Sequence, residues 1–261
     1  MQAVAKLESG QNDRLRLLSY NIQGGIKTQA YRHYFMRSWQ HLLPHRHKQE
    51  NLDKVAGLIS QYDIVALQET DAGSLRTGFI NQTEYLAKKA HFPFWFDQVN
   101  RNIGKLAQHS NSLLCRTNPH SVVEHKLPGL ISGRGALMAR FNILNQELVV
   151  IVVHLALGRK TRMQQLGFIS ELIKPEKHVV LMGDLNCDSD SKEMKYLFKQ
   201  THLNESEQSQ HTFPSWQPKR NIDHILVSRD IRVTKVNVLP HGASDHLAVA
   251  MDIQLNHSVN N

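Results

Sequence analysis

Cysteine is scarce in this chain of 261 residues, which holds two, Cys115 and Cys187. Two scattered cysteines build no disulfide framework, so a small stapled secreted fold is excluded. Both are expected to be reduced core thiols in a cytoplasmic protein rather than nucleophiles. Long apolar runs are also missing. The longest, LVVIVV at 148–153, falls far short of the ~20 residues that a bilayer-spanning helix needs. The opening MQAVAKLESGQNDR lacks the apolar centre of a signal peptide, so no export signal is evident. No stretch rich in proline, glycine or serine divides the chain, and no short-period repeat occurs. These absences read as a tail at 1–13 and one domain at 14–256. Acidic residues are in deficit, 23 against 31 Lys and Arg, for a net charge of +8. The surplus favours an anionic partner such as nucleic acid, a phosphorylated metabolite or an acidic lipid surface, and does not choose among them.

What is present is ordinary for a globular protein. A hydrophobic content of 41% over this length supports a substantial core. Short apolar strands recur: LRLLSYNI (15–22), DIVALQE (63–69), NSLLCR, RGALMARF, ELVVIVVHL, VVLMGD, IDHILVS, IRVTKVNVL and LAVAMDIQL. Helices are expected at ENLDKVAGLISQ (50–61), where Leu52, Val55, Leu58 and Ile59 share one stripe, and at TEYLAKKAHF, KTRMQQLGFISELI and EMKYLFKQ. Helices alternate with strands early in each half, and strands cluster later in each half. That pattern suits an α/β (α+β) class protein: a four-layer α/β/β/α sandwich of two packed mixed β-sheets with outer helices.

Several of the strands end in a polar residue. VVLM runs apolar and then delivers Gly183, Asp184 and Asn186; other strands deliver Asn21, Gln68 with Glu69, and His154, and the stretches NIDHIL and GASDHL carry Asp223, His224, Asp245 and His246. Sheet rims fix such groups while loops leave room for a ligand. Carboxylates and amide oxygens without thiolates suit a hard cation, Mg²⁺ or Mn²⁺, and histidines beside it suit phosphoryl chemistry.

In SYNIQ, LQE, HSNSLLCR, VVHLALG, GDLN, IDHI and SDH, in that order, the chain resembles the endonuclease/exonuclease/phosphatase superfamily from residue 15 to about 254. The resemblance implies the same four-layer fold and a metal-dependent phosphoesterase. It implies that Asn21 and Glu69 hold the metal and that Asp245 serves a second metal position. Asp184 would activate water with Asn186 beside it, His154 would bond a phosphate oxygen, and His246 would stabilise developing charge with Asp223 orienting its ring. Asn111 would contact phosphate.

Other residues admit two readings. Arg134 between two glycines fits a phosphate clamp or a strand turn equally well. His224 reads as a packing or supporting residue, and HFPFWF (91–96) as core aromatics. The His- and Arg-rich segment 29–49 reads as a basic loop able to meet a nucleic-acid backbone, since its histidines lack zinc-ligand spacing. The expected function is hydrolysis of phosphodiester bonds by a monomeric nuclease. The alternatives are a phospholipid or phosphoinositide phosphoesterase and a catalytically silent nucleic-acid-binding protein.

Overall fold

In the computed structural model, which describes residues 14–23, 46–73, 80–103, 107–129, 133–206, 210–240 and 243–255, the strands gather into two six-stranded sheets. The first holds β1 (Arg14–Asn21), β2 (Ile64–Asp71), β3 (Phe94–Ile103), β4 (Ala107–Cys115), β11 (Arg232–Leu239) and β12 (Ala248–Gln254), in the order β11-β12-β1-β2-β4-β3. The second holds β5 (Ser121–Lys126), β6 (Gly135–Ile143), β7 (Gln146–His154), β8 (His178–Asp184), β9 (Leu203–Asn204) and β10 (Asp223–Ser228), in the order β5-β6-β7-β8-β10-β9. Both sheets are mixed: β1 runs parallel to β2 and β7 to β8, and the remaining neighbours are antiparallel.

Strand alternation makes the layers. Leu17, Ile64, Ala66 and Leu113 of the first sheet meet Leu137, Val150, Val152, Val180, Met182 and Ile225 of the second in the central core. The opposite faces are covered by helices. Leu18, Tyr20, Val65, Leu67 and Leu114 lie under Leu52, Val55 and Ile59 of α1 (Arg46–Ile59) and Leu86 and Ala87 of α2 (Gln82–Lys89). Val149, Ile151, Val179, Leu181 and Leu226 lie under Leu166, Ile169 and Ile173 of α3 (Arg159–Ile173) and Met194 and Leu197 of α4 (Lys192–Gln200). Each such aliphatic side chain contributes about 1.5–3 kcal/mol by leaving water, which is why the three apolar layers fix the stacking. Two helix starts are capped by side chains: Asn81 accepts from the Glu84 amide and Ser191 from the Met194 amide.

The four-layer sandwich expected from the strand pattern is therefore observed. Three strands were not legible, among them the two-residue edge strand β9. The other two, β3, whose first residues were read only as core aromatics, and β5, are also edge strands, and the polar residues of DQVNRNI and SVVEHK hide the alternation. Of the aromatic cluster, Phe92 is buried and Phe94 and Phe96 pack against the central core, whereas Trp95 points outward. No helix among the described residues is long and apolar enough to cross a membrane. The basic segment 29–49 lies outside the described residues up to the start of α1.

Candidate active site

Topology collects the polar strand ends in one place. β1, β2, β7 and β8 point their carboxyl ends to one rim, bringing Asn21, Glu69, His154 and Asp184 there. β10 is antiparallel to β8 and β12 to β1, so the start of β10 (Asp223) and the turn before β12 (Asp245 and His246) arrive at the same edge. His154 and Asp184 are register partners across the parallel β7–β8 pair.

Backbone distortions aim the groups. A bulge in β2 between Gln68 and Thr70 gives Glu69 a φ of 58°, in the left-handed region. In an unbroken strand Glu69 would point away from the cleft, opposite to Gln68. The bulge re-aims it, so that its carboxylate comes 3.9 Å from His154 Nε2. Asn186, just beyond β8, also adopts a left-handed φ of 54°. Such strain concentrates at functional sites and persists only where surrounding bonds enforce it. Here the Asn186 amide donates to Asp184 Oδ1 at 2.9 Å, and its side chain donates to the Leu155 carbonyl at 3.0 Å.

Asp184 stands at the centre, wholly buried. Its Oδ2 accepts from Asn21 Nδ2 at 3.1 Å, lies 3.4 Å from His154 Nε2, and is 4.0 Å from His246 Nε2. Burial first, and then the charge of Asp223, push Asp184 above the usual carboxylate range, against the pull of His246 and of bonds from Asn186 and Asn21. His246 Nδ1 bonds Asp223 at 2.9 Å, and the Phe213 ring packs on the imidazole with centroids 4.8 Å apart. Burial pulls His246 down, but Asp223, by charge and hydrogen bond, with Asp184 and Asp245, outweighs burial and holds it above the ordinary histidine range. Asp245 Oδ1 sits 4.0 Å from His246 Nε2. Its carboxyl is raised, by burial first and by the repulsion of Glu69, with His246 opposing.

Glu69 opens this otherwise buried group to solvent: its side chain is 29% exposed, against 2% for Asp184, 7% for His154 and 9% for His246. Four carboxylates, Glu69, Asp184, Asp223 and Asp245, thus converge on two histidines, His154 and His246, with which they pair. Such an excess of oxygen donors and negative charge is what a hard divalent cation offsets. Asp184, Asp223 and His246 each place a donor within 4.8 Å of the others, close enough to hold a cation. The His246 Nδ1–Asp223 bond competes with that use. Asn21 Oδ1 accepts from the Gln23 amide at 3.1 Å, which fixes its orientation.

The structure thus brings together Asn21, Glu69, His154, Asp184, Asn186, Asp223, Asp245 and His246. Asn111 lies farther along the rim. It is register partner to both Gln68 and Gln98, and its buried side chain donates to the Gly135 carbonyl at 3.0 Å, tying the two sheets. Arg134, half-buried, leads into β6, and its carbonyl accepts from the Leu127 amide. Thr212, which donates to Asp223, and Phe213 were missed by sequence reasoning, because they sit in an irregular loop without a strand signal. Both cysteines are free and buried, Cys115 pushed by burial to about 12 and Cys187, also chiefly by burial, to about 11.

None of the curated proteins matches this sequence. Solved structures match its fold. An endonuclease/exonuclease/phosphatase from Beutenbergia cavernae is 20% identical with a TM-score of 0.72, over 93% of this chain and 72% of that one. The mannosyl-6-phosphatase of Bacteroides thetaiotaomicron is 17% identical with a TM-score of 0.70, over 92% and 99%. D. rerio TDP2 complexed with single strand DNA product is 15% identical, also at 0.70, over 92% and 99%. The model of the Endonuclease/Exonuclease/phosphatase family matches residues 18–246, from the middle of β1 to the histidine facing Asp184, and the chain belongs to that family of phosphoesterase hydrolases.

Proposed function

We propose that residues 14–256 form a divalent-cation-dependent phosphodiesterase domain whose substrate is nucleic acid. The observation that carries this reading is the buried Asp184 carboxylate, facing His154 and the His246–Asp223 pair beside the solvent-open Glu69. Glu69 and the amide oxygen of Asn21 would hold Mg²⁺ or Mn²⁺, with Asp245 available for a second position; when bound, the cation would neutralise phosphate oxygens. A carboxylate raised above its usual range is suited to take a proton from water, and Asn186 beside it would position that water or a phosphate oxygen. His154 donates to a phosphate oxygen. His246, with Nδ1 held by Asp223, presents Nε2–H to the charge that develops at phosphorus.

Arg134 and Asn111 would bound the cleft toward β6. Arg134 would meet a phosphate of the bound chain, and Asn111 would contact the phosphate while bracing the Gly135 carbonyl. The net charge of +8 favours a polyanion. One structure of this fold carries a single-strand DNA product and another is a mannosyl-6-phosphatase. The fold therefore hosts more than one phosphoester class, and the charge favours the first for this chain. All the residues given roles here belong to one chain, which suits a monomer, and two buried free thiols suit a reducing cytoplasm.

The test is hydrolysis of single- and double-stranded DNA, RNA, phosphoinositides and bis(p-nitrophenyl) phosphate with Mg²⁺ or Mn²⁺. Asp184→Asn keeps the side-chain shape and removes the base, so turnover is expected to fall by about 10²–10⁴. Near-normal turnover by a folded Asp184→Asn protein would make the carboxylate structural. Cleavage of phosphoinositide alone would overturn the nucleic-acid assignment.

A further inference from the structure

His224 stands next to Asp223 on β10, and strand alternation turns it to the opposite face, away from the cleft and toward the helices. Its side chain is fully enclosed, at 0% exposure. Nδ1 lies 2.9 Å from Glu205 Oε1 and Nε2 lies 2.9 Å from the Cys187 carbonyl oxygen. A carbonyl accepts and cannot donate, so Nε2 carries a hydrogen. The same Glu205 oxygen also accepts from Ser189 Oγ at 3.0 Å and Asn221 Nδ2 at 3.3 Å. Several donors facing one oxygen describe an ionised carboxylate, so Nδ1 carries a hydrogen as well. The ring is then a buried cation paired with Glu205.

That pair grips the loop after β8. Cys187 is held through its carbonyl, Ser189 through Glu205, and Asp188 through its bonds to the Asn221 amide and the Arg220 guanidinium. Between Asp184 and Cys187 sits Asn186, in the left-handed conformation that gives Asp184 Oδ1 its 2.9 Å hydrogen bond. A bare turn would relax out of that conformation; here the residue after it is fixed from behind.

We infer that the buried His224–Glu205 ion pair is a positioning device for the reaction: it pins the Cys187 carbonyl, holds Asn186 in its strained turn, and so sets the orientation of Asp184. The inference rests on the reading of Asp184 as the group that activates water. His224 touches no substrate and acts through Asn186.

The test is a double-mutant cycle read on bis(p-nitrophenyl) phosphate with Mg²⁺. His224→Ala is expected to lower kcat by about 10–100-fold, the usual effect of removing a supporting partner, with little change in KM. Asn186→Ala lowers kcat as well, and the double variant should be no worse than the more damaged single variant, because both act on one turn. Losses that multiply, or a wild-type kcat in folded His224→Ala, overturn the inference. Should His224→Ala fail to fold, His224→Gln, which keeps one amide donor for the Cys187 carbonyl, replaces it in the cycle. A ¹⁵N NMR spectrum of the wild-type ring separates the two levels of the argument. Two protonated ring nitrogens in a protein that hydrolyses none of the phosphodiesters would leave the clamp standing and sink the catalytic reading. A singly protonated neutral ring overturns the clamp whatever the assays give.

Discussion

Gly183 connects stability to catalysis at a single atom. It has a φ of 145°, a conformation that L side chains rarely adopt, and a Cβ built there would lie 1.9 Å from the Val153 carbonyl oxygen and 2.9 Å from its carbon. The obstacle is the backbone of β7, which no rotamer change can clear. Gly183→Ala therefore incurs backbone strain of about 1–3 kcal/mol and overpacking of about 1–3 kcal/mol. Together they remove roughly 2–6 kcal/mol from a stability that for domains is typically about 5–15 kcal/mol. Relief comes by moving β8 off β7 where Val153 faces Gly183 and His154 faces Asp184. That displacement opens the 3.4 Å contact between His154 Nε2 and Asp184 Oδ2, and a misplacement of about 1 Å in a catalytic group can cost about 10²-fold in rate. Gly57 provides the contrast. It lies inside α1 with nothing within 4 Å of an added Cβ, so Gly57→Ala is expected to stabilise by about 0.4–1 kcal/mol. Urea denaturation followed by circular dichroism, with phosphodiester turnover measured on the same preparations, reads both effects. A Gly183→Ala protein within about 0.5 kcal/mol of wild type and fully active would refute the reasoning.

Other expectations follow from the same geometry. Burial pulls the His224 pKa down, but the Glu205 bond and charge and the Cys187 carbonyl raise it above its ordinary value overall. Its stabilising contribution is then fully present below about pH 6.5 and lost as pH rises through the raised folded value. The stability gap between wild type and His224→Gln should accordingly shrink toward alkaline pH in denaturant titrations; a gap that widens contradicts the ion pair. Cys115 and Cys187, buried and raised to about 12 and about 11, should stay silent to Ellman's reagent at pH 8 and react once the protein is unfolded; a rapidly modified native thiol would count against their enclosure. Turnover should vanish in chelator and return with Mg²⁺ or Mn²⁺, and full activity of metal-stripped protein would remove the cation from the site. Asp190→Asn, at an exposed acid just beyond the Asp184 loop, should keep kcat within about threefold, the size of effect expected of a solvated surface charge.

The sequence by itself determined the layers and the residue types at the rim. The apolar strand LRLLSYNI, the unbroken apolar run VVLM and the helical stripe of Leu52, Val55 and Ile59 are local signals, and burial of those same side chains builds the observed core. Asn21, Glu69, His154, Asp184, Asp223, Asp245 and His246 were legible because each interrupts or follows an apolar run. The edge strands β3, β5 and the two-residue β9 were not, since a short or polar strand at a sheet edge leaves no clear alternation. Only the tertiary structure decided that the bulge at Gln68–Thr70 turns Glu69 into the cleft, that antiparallel β10 and β12 deliver Asp223 and His246 to the ends of β8 and β1, and that His224 faces away from its neighbour to grip Cys187. Direction and register are properties of pairing between strands far apart in the chain. They reside in hydrogen bonds that close only when both sheets have assembled, and no single segment encodes them.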